Sequence, residues 1–402
     1  MIKLHLYLFQ LNTLNSTETY HAANSFQVLY VLIIIYYHYT GHAVYVYRPK
    51  AVMQYNSIHI IIIMLLYAIF CIPQFFQTAQ LLQSTSRLCS EKLPDLPIAT
   101  ASTTAIAIAR DVYVCGGSCC DAALGQLVQV YNMDRRKWSK LPPAPQLHSE
   151  ATAIFNKLVL IGGEDASSCT VTNLVSTWTG QCWQQDLPPM PTKRLRPGVT
   201  TYGNIVIVAG GWADVKRLLS TIDVLVIHMH QWWTPVCLQL LQPMSGLTIT
   251  TCGTNIYVAG AFIHCTTAAD IVQTSNRVWQ LPMSKFSKVL ANADQSLPLQ
   301  WAKIADTPNY RSALLQGTAH LVAIGGHNQL DQPTSDIAIY NPCTNTWSTV
   351  GHLHTPRDRC SVASFSRLSF LVIGGCSNIR DVIGNLLNSV ERIHIQTQTG
   401  TK

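Results

Sequence analysis

Short apolar runs punctuate this chain, and each closes on glycine. They are "VYVCGG" (Gly116-Gly117), "LVLIGG" (Gly162-Gly163), "IVIVAGG" (Gly210-Gly211), "IYVAGA" (Gly260-Ala261), "LVAIGG" (Gly325-Gly326) and "FLVIGG" (Gly374-Gly375), spaced by 46, 48, 50, 65 and 49 residues. Apolar runs of this length, rich in Val and Ile and bounded by turn residues, read as buried strands. The fifth repeat resolves into four strands, "RSALLQG", "AHLVAIGG", "SDIAIYNP" and "TWSTV", with turn chemistry such as "NPCTNT" between them. A four-stranded unit with two apolar faces buries them only by stacking on its neighbours. Six such units predict an all-β fold, a six-bladed β-propeller with four antiparallel strands per blade.

Tryptophans mark the outer strands. Trp138, Trp183, Trp232 and Trp347 lie 21 or 22 residues past the first glycine of their repeats, and a Leu/Pro segment follows each: "LPPAP", "DLPPMP", "LQPM", "GHLHTP". Tyr131 and Tyr340 supply further stacking area. The glycine pairs themselves are architecture: each ends a strand without opening a helix, so there is no helix N-terminus to hold a phosphate. No GxGxxG or GxxxxGK[ST] occurs in the chain.

Repeat 4 departs most. It has Ala261 for the second glycine, and an insert around "LPMSKFSKVLANADQSLPLQW" makes Trp301, rather than Trp279, its expected outer-strand tryptophan. Repeat 2 has Thr177-Trp178 where tyrosine is expected. The sixth repeat runs out after its third strand, near Ser389–Ile395, while "RLCSEKLPDLP" (Arg87–Pro97) matches "KWSKLPPAP" without its tryptophan. Residues 85–93 are therefore expected to supply the missing outer strand and close the ring, which would otherwise expose sheet edges.

On these residues, above all "VYVCGG…VQVYNMDRRKW" and "LVAIGG…IAIYNPCTNTW", the chain resembles the kelch repeat family over residues 84–395. The resemblance implies that loops between blades, and loops joining second to third strands, project from one rim and bind protein partners. Members act as substrate receptors of cullin ubiquitin ligases or as actin-binding scaffolds. The receptors carry BTB and BACK helical domains ahead of the propeller, and residues 1–83 do not read as those domains. Carried onto this chain, the rim positions are His148, Lys193, Arg194, Arg196, Trp212, Lys216, Arg217, Asn309, Arg311, His327, Arg357, Arg359 and Arg380. The arginines suit an acidic peptide, because a guanidinium fork binds carboxylates in bidentate fashion.

Composition changes the picture at the N-terminus. Charged residues make up 12% of the 402, and residues 1–82 hold four of them: Lys3, Glu18, Arg48 and Lys50. Phe26–Tyr47 and Ile58–Phe76 are apolar, and 58–76 has about the length of a bilayer span. Residues 1–83 read either as a hydrophobic leader carrying a membrane segment at 58–76, or as an unfolded stretch of the composition that translated non-coding sequence has. The net charge of +7 is thinly spread, with no Lys/Arg run of the kind that binds nucleic acid. Thirteen cysteines, odd in number and without CxxC spacing, point to reduced thiols in a cytoplasmic protein. The cluster Cys115/Cys119/Cys120 lacks a second ligand pair for zinc.

No catalytic constellation stands out, and no cofactor or metal is expected. His228/His230 and His352/His354 lack a converging third ligand, there is no GxSxG elbow, and the acidic residues are scattered. The expectation is a non-catalytic interaction module. The alternative is a propeller enzyme acting on a sugar-like small molecule, or a membrane-tethered propeller.

Overall fold

The structure, a computed structural model, describes residues 87–117, 125–214, 217–264, 272–291, 299–314, 320–366 and 369–396. The chain divides into two compact units, 1–81 and 82–402. The leader and its segment 58–76 lie outside the described residues. Among the described residues no helix is long and apolar enough to cross a membrane.

The second unit is a six-bladed β-propeller. Blade 1 pairs Thr104–Ile108, Asp111–Cys115, Val128–Asn132 and Lys137–Lys140; blade 2 pairs Glu150–Ile154, Lys157–Ile161, Val175–Trp178 and Trp183–Gln184. Blade 3 has Gly198–Tyr202, Ile205–Ala209, Ile222–Val226 and Gln231–Trp233. Blade 4 has Thr248–Cys252, Asn255–His264, Val272–Pro282 and Ala302–Ile304. Blade 5 has Ala313–Leu314, Val322–Ile324, Asp336–Asn341 and Thr346–His352. Blade 6 has Ser361–Ser366, Ser369–Ile373 and Val390–Gln396, and its fourth strand is Arg87–Leu93, antiparallel to Val390–Gln396 with Glu91 opposite Arg392. The first strands of successive blades touch in the order 1 to 6 and back to 1, so they line a central channel.

The core consists of six apolar seams, one between each pair of neighbouring blades. Alternation along a single strand feeds both sides: Val206 and Val208 face the seam with blade 2, while Ile207 and Ala209 face the seam with blade 4. This two-sided burial is why the second strands read as unbroken apolar runs. Leu371, Ile373 and Val390 of blade 6 pack on Val112, Val114 and Tyr131 of blade 1, with Leu93 and Leu96 beside them.

The outer tryptophans fasten blade to blade. The indole N–H groups of Trp138, Trp183, Trp232, Trp301 and Trp347 donate to the carbonyls of Pro94, Pro142, Pro188, Gln239 and Ala305, at 2.8, 3.1, 2.8, 2.8 and 2.9 Å. Each acceptor belongs to the segment leaving the preceding blade. Tyr131–Trp138, Trp178–Trp183 and Tyr340–Trp347 are cross-strand ring pairs with centroids 5.0, 5.3 and 5.3 Å apart. Trp178 thus fills the place that tyrosine holds elsewhere.

The glycine pairs join neighbouring blades. The second glycine has φ between 90° and 99° in all five pairs, a region that side chains exclude. Its N–H donates to the carbonyl of the next blade's leading loop: Gly163 to Arg194, Gly211 to Met244, Gly326 to Arg357 and Gly375 to Thr100, at 2.7 to 3.0 Å. Ala261 does not make this turn: the second strand of blade 4 shifts register between Ala259 and Ala261 and continues to His264, paired with Val272. The spacing of repeat 4 has two causes: this extended hairpin, and the helix Met283–Ala291, whose Met283 and Phe286 are buried against the seam of blades 3 and 4. A Cβ on Gly326 would lie 2.2 Å from the Tyr310 carbonyl. Gly326→Ala is therefore expected to lose about 1–3 kcal/mol from backbone strain alone, with the clash adding to it. Urea unfolding checks this; an unchanged midpoint would contradict it.

Candidate binding face and channel mouth

The loop that leads into each blade carries two structurally equivalent positions, two residues apart. The first is Thr100, Gln146, Arg194, Met244, Asn309 or Arg357. The second is Ser102, His148, Arg196, Gly246, Arg311 or Arg359, and all six of these adopt φ between 49° and 61°. The residue between them pairs with the residue after the glycine pair of the same blade, as Leu195 does with Trp212, Tyr310 with His327 and Asp358 with Cys376. That pairing turns the first position inward and the second toward the channel mouth. It also sets between-blade and within-blade loops side by side on one face.

The inward set corrects the rim assignment. Arg194 and Arg357 are fully buried and make no rim surface. The Arg194 guanidinium donates to the Gly210 and Thr221 carbonyls at 2.6 and 3.0 Å and pairs with Asp223 at 2.8 Å. Arg357 donates to the Gly374 and Ser389 carbonyls at 2.9 and 3.0 Å and pairs with Glu391 at 2.7 Å. Each satisfies a glycine carbonyl where the ladder breaks, as Gln146 does for Gly162 at 2.6 Å. Burial pushes the Arg194 pKa down, and Asp223 opposes this. For Glu391, burial raises the pKa, but hydrogen bonds from His354 and the charge of Arg357 bring it below the usual range. Asn309 is also buried, donating to Asp336 at 3.1 Å. His327 is buried as well, stacked on Tyr310 and 3.3 Å from Asp358.

The outward set remains accessible. Arg196, Arg311, Arg359 and His148 are half-buried. Arg311 and Arg359 approach the buried Asp358 carboxylate at 3.8 and 3.4 Å. Arg196 has no hydrogen bond or ion pair from its side chain to any described residue. A cavity of about 150 Å³ lies between Arg196 and Arg311, with His148, Glu150, Ser102 and Gly246 on its walls. It continues into the channel at Thr103, Glu150, Leu247 and Thr248. Lys193 and Arg217 are exposed on the surrounding face, Arg217 beside Asp214 at 3.6 Å. Arg380 reaches Asp331 at 3.6 Å, joining loops of blades 5 and 6, and Trp212 is half-buried in a short strand. Lys216 lies outside the described residues.

Residue type alone did not single out Ser102, Glu150 and Gly246. The signal was their place in the repeat: Ser102 and Gly246 match Arg196, and Glu150 begins its blade's first strand. Burial drives the Glu150 pKa up to about 7, against Thr104 and Arg196, which lower it. Burial and then Arg196 push His148 down to about 4, and burial brings Arg311 to about 10 despite Asp358. Among the described residues no group of three His, Cys, Asp or Glu could hold a metal. His352 and His354 bind Asp336 and Glu391 separately, at 3.1 and 3.0 Å.

The folded Glu150 holds its proton more tightly than the unfolded chain does, because its pKa is raised from an ordinary 4.5. Its contribution to stability is therefore full below pH 4.5 and lost as pH rises through 7. Glu150→Gln should gain melting temperature over the parent at pH 8 and gain little at pH 5. An equal difference at both pH values would contradict the shift.

The ring of four-stranded blades, closed by an N-terminal strand, defines a six-bladed β-propeller with one loop face. The Kelch motif model matches residues 320–353, which lie within blade 5 of this propeller. The chain is 22% identical over 255 residues to "Kelch repeat and BTB domain-containing protein 1" of Cowpox virus, covering 62% of this chain and 41% of that protein. It is 32% identical over 87 residues to an F-box/kelch-repeat protein of Arabidopsis thaliana, 21% of this chain and 22% of that one. A Kelch-like protein of Aspergillus terreus is 31% identical over 88 residues, 21% of this chain and 19% of that one. The chain thus spans less than half the length of these relatives. The solved structure of YjhT shares the fold, with a TM-score of 0.59 and 13% identity, over 76% of this chain and 99% of that one.

Proposed function

We propose that this chain is a non-catalytic protein-interaction module that holds a partner on the loop face around the channel mouth, through acidic side chains of the partner. The observation that carries this is the convergence of Arg196, Arg311 and Arg359, from three blades, on one half-buried mouth. Arginine, with tryptophan and tyrosine, is enriched among the residues that anchor protein interfaces. The names of the relatives, one pairing kelch repeats with a BTB domain and one with an F-box, support an adaptor of the ubiquitin-ligase type over an actin scaffold. The nine described cysteines are free thiols, which suits a reducing compartment such as the cytoplasm.

The test is capture from host lysate by the chain and by its Arg196→Gln/Arg311→Gln/Arg359→Gln variant, with Arg110→Gln as control. Arg110 lies in the turn after the first strand of blade 1, at the far end of the channel. Partners lost by the triple variant and kept by the control support the reading, and identical capture by all three overturns it. The second reading, an enzyme acting on a sugar-like small molecule, draws on the mouth cavity, where Glu150 exchanges its proton near pH 7. A folded chain that captures nothing would favour it.

A further inference from the structure

The six mouth positions are equivalent by fold but differ in chemistry. Blade 4 contributes Gly246, with no side chain, and this opens the cavity between Arg196 and Arg311. Polar groups around the opening lack partners. The Ser102 hydroxyl and His148 Nδ1 are buried without a hydrogen bond among the described residues. Arg196 likewise has none from its guanidinium. A buried donor without a partner costs about 1–3 kcal/mol, so native proteins rarely leave several in one place without a ligand or water. Ser102 and His148 carry such groups at two of the six mouth positions, and Arg196 adds an accessible guanidinium at a third.

We infer that this cavity is a preformed site for a single carboxylate, held between the guanidiniums of Arg196 and Arg311 in the gap that Gly246 leaves. This deepens the binding reading above and rests on it only for the source of the carboxylate. The volume of about 150 Å³ admits a carboxylate with a short stem and excludes a nucleotide. Two guanidiniums on opposite walls can each present a planar fork to a planar anion. Glu164 acts on Arg196, and its charge repels a dianion more strongly than a monoanion. A carboxylate is favoured over phosphate for that reason. It can come from an acidic side chain of a partner or from a free small acid.

The experiment is calorimetric titration of the full chain with three probes: N-acetylglycine, an end-blocked peptide with one glutamate, and inorganic phosphate. The histidine ring resonances of the unsubstituted chain are followed in parallel. The expected result is saturable one-to-one binding of a carboxylate probe, with the His148 resonance moving on saturation. Arg196→Gln should weaken binding at least tenfold, while Arg110→Gln, at the far end of the channel, leaves it unchanged. Binding of both carboxylate probes, or of the peptide alone, supports the site and separates the two sources. Phosphate binding more tightly than either carboxylate overturns the assignment, as does full affinity in Arg196→Gln. A His148 resonance unmoved by every probe overturns it without relying on any variant. Carboxylate binding that holds while partner capture ignores Arg196 would leave the site standing and remove the loop-face reading.

Discussion

A chain that begins at Ile98 is expected not to fold, whereas one that begins at Ser84 folds. The lost segment supplies the fourth strand of blade 6, with seven cross-strand positions from Arg87 to Leu93. It also brings Leu93 and Leu96 into the seam between blades 6 and 1, and Leu88 against the seam of blades 5 and 6. Burying each such leucine stabilises by about 1.5–3 kcal/mol. Together with the ladder, the loss reaches the 5–15 kcal/mol that is the whole stability of a typical domain. Pro94 also accepts the Trp138 indole N–H, so the damage spreads into blade 1. Urea unfolding followed by circular dichroism compares the two chains. A synthetic peptide of residues 84–97 should restore structure to the shorter one. Equal stability of the two chains would contradict the closure.

Arg357→Ala is expected to cost about 3–5 kcal/mol, the loss seen when one partner of a buried ion pair is removed. Glu391 would remain buried, keeping the N–H donors of His354 and Thr355 but losing the guanidinium at 2.7 Å. The Gly374 and Ser389 carbonyls would lose their donor in the same step. Arg357→Met with Glu391→Leu should recover part of the loss, since a buried ion pair can often be replaced by apolar groups. Arg359→Ala, two residues away, should cost less than Arg357→Ala, because the Asp358 carboxylate that it approaches at 3.4 Å is also approached by Arg311 and His327, at 3.8 and 3.3 Å. Thermal unfolding of the set reads this contrast, and equal losses at 357 and 359 would contradict the inward and outward assignment.

That contrast also marks where reading the sequence stopped. The blades were legible because their signals are local: a glycine pair that only glycine can turn, a tryptophan at fixed offset, an apolar run buried on both faces. The closing strand was legible because "RLCSEKLPDLP" has no other repeat to belong to. Arg194 and Arg196 carry the same letter, as do Arg357 and Arg359, and what separates them is the direction in which the backbone turns between them. That direction depends on Leu195 and Asp358 pairing with Trp212 and Cys376, which are 17 and 18 residues further on. The mouth cavity was hidden for a related reason. It exists because Gly246 contributes nothing, and a missing side chain matters only once six equivalent positions are placed in a ring. The helix Met283–Ala291 lay unseen inside what read as an insert.

The most direct test of the account is hydrogen–deuterium exchange of the chain with and without its captured partner. The expected protection falls on 146–148, 193–197, 309–312 and 355–360, the loops around the mouth. Protection confined instead to the opposite face, at the Phe155-Asn156 turn and the turn 342–345, would contradict the assignment of the arginine-lined face as the binding surface.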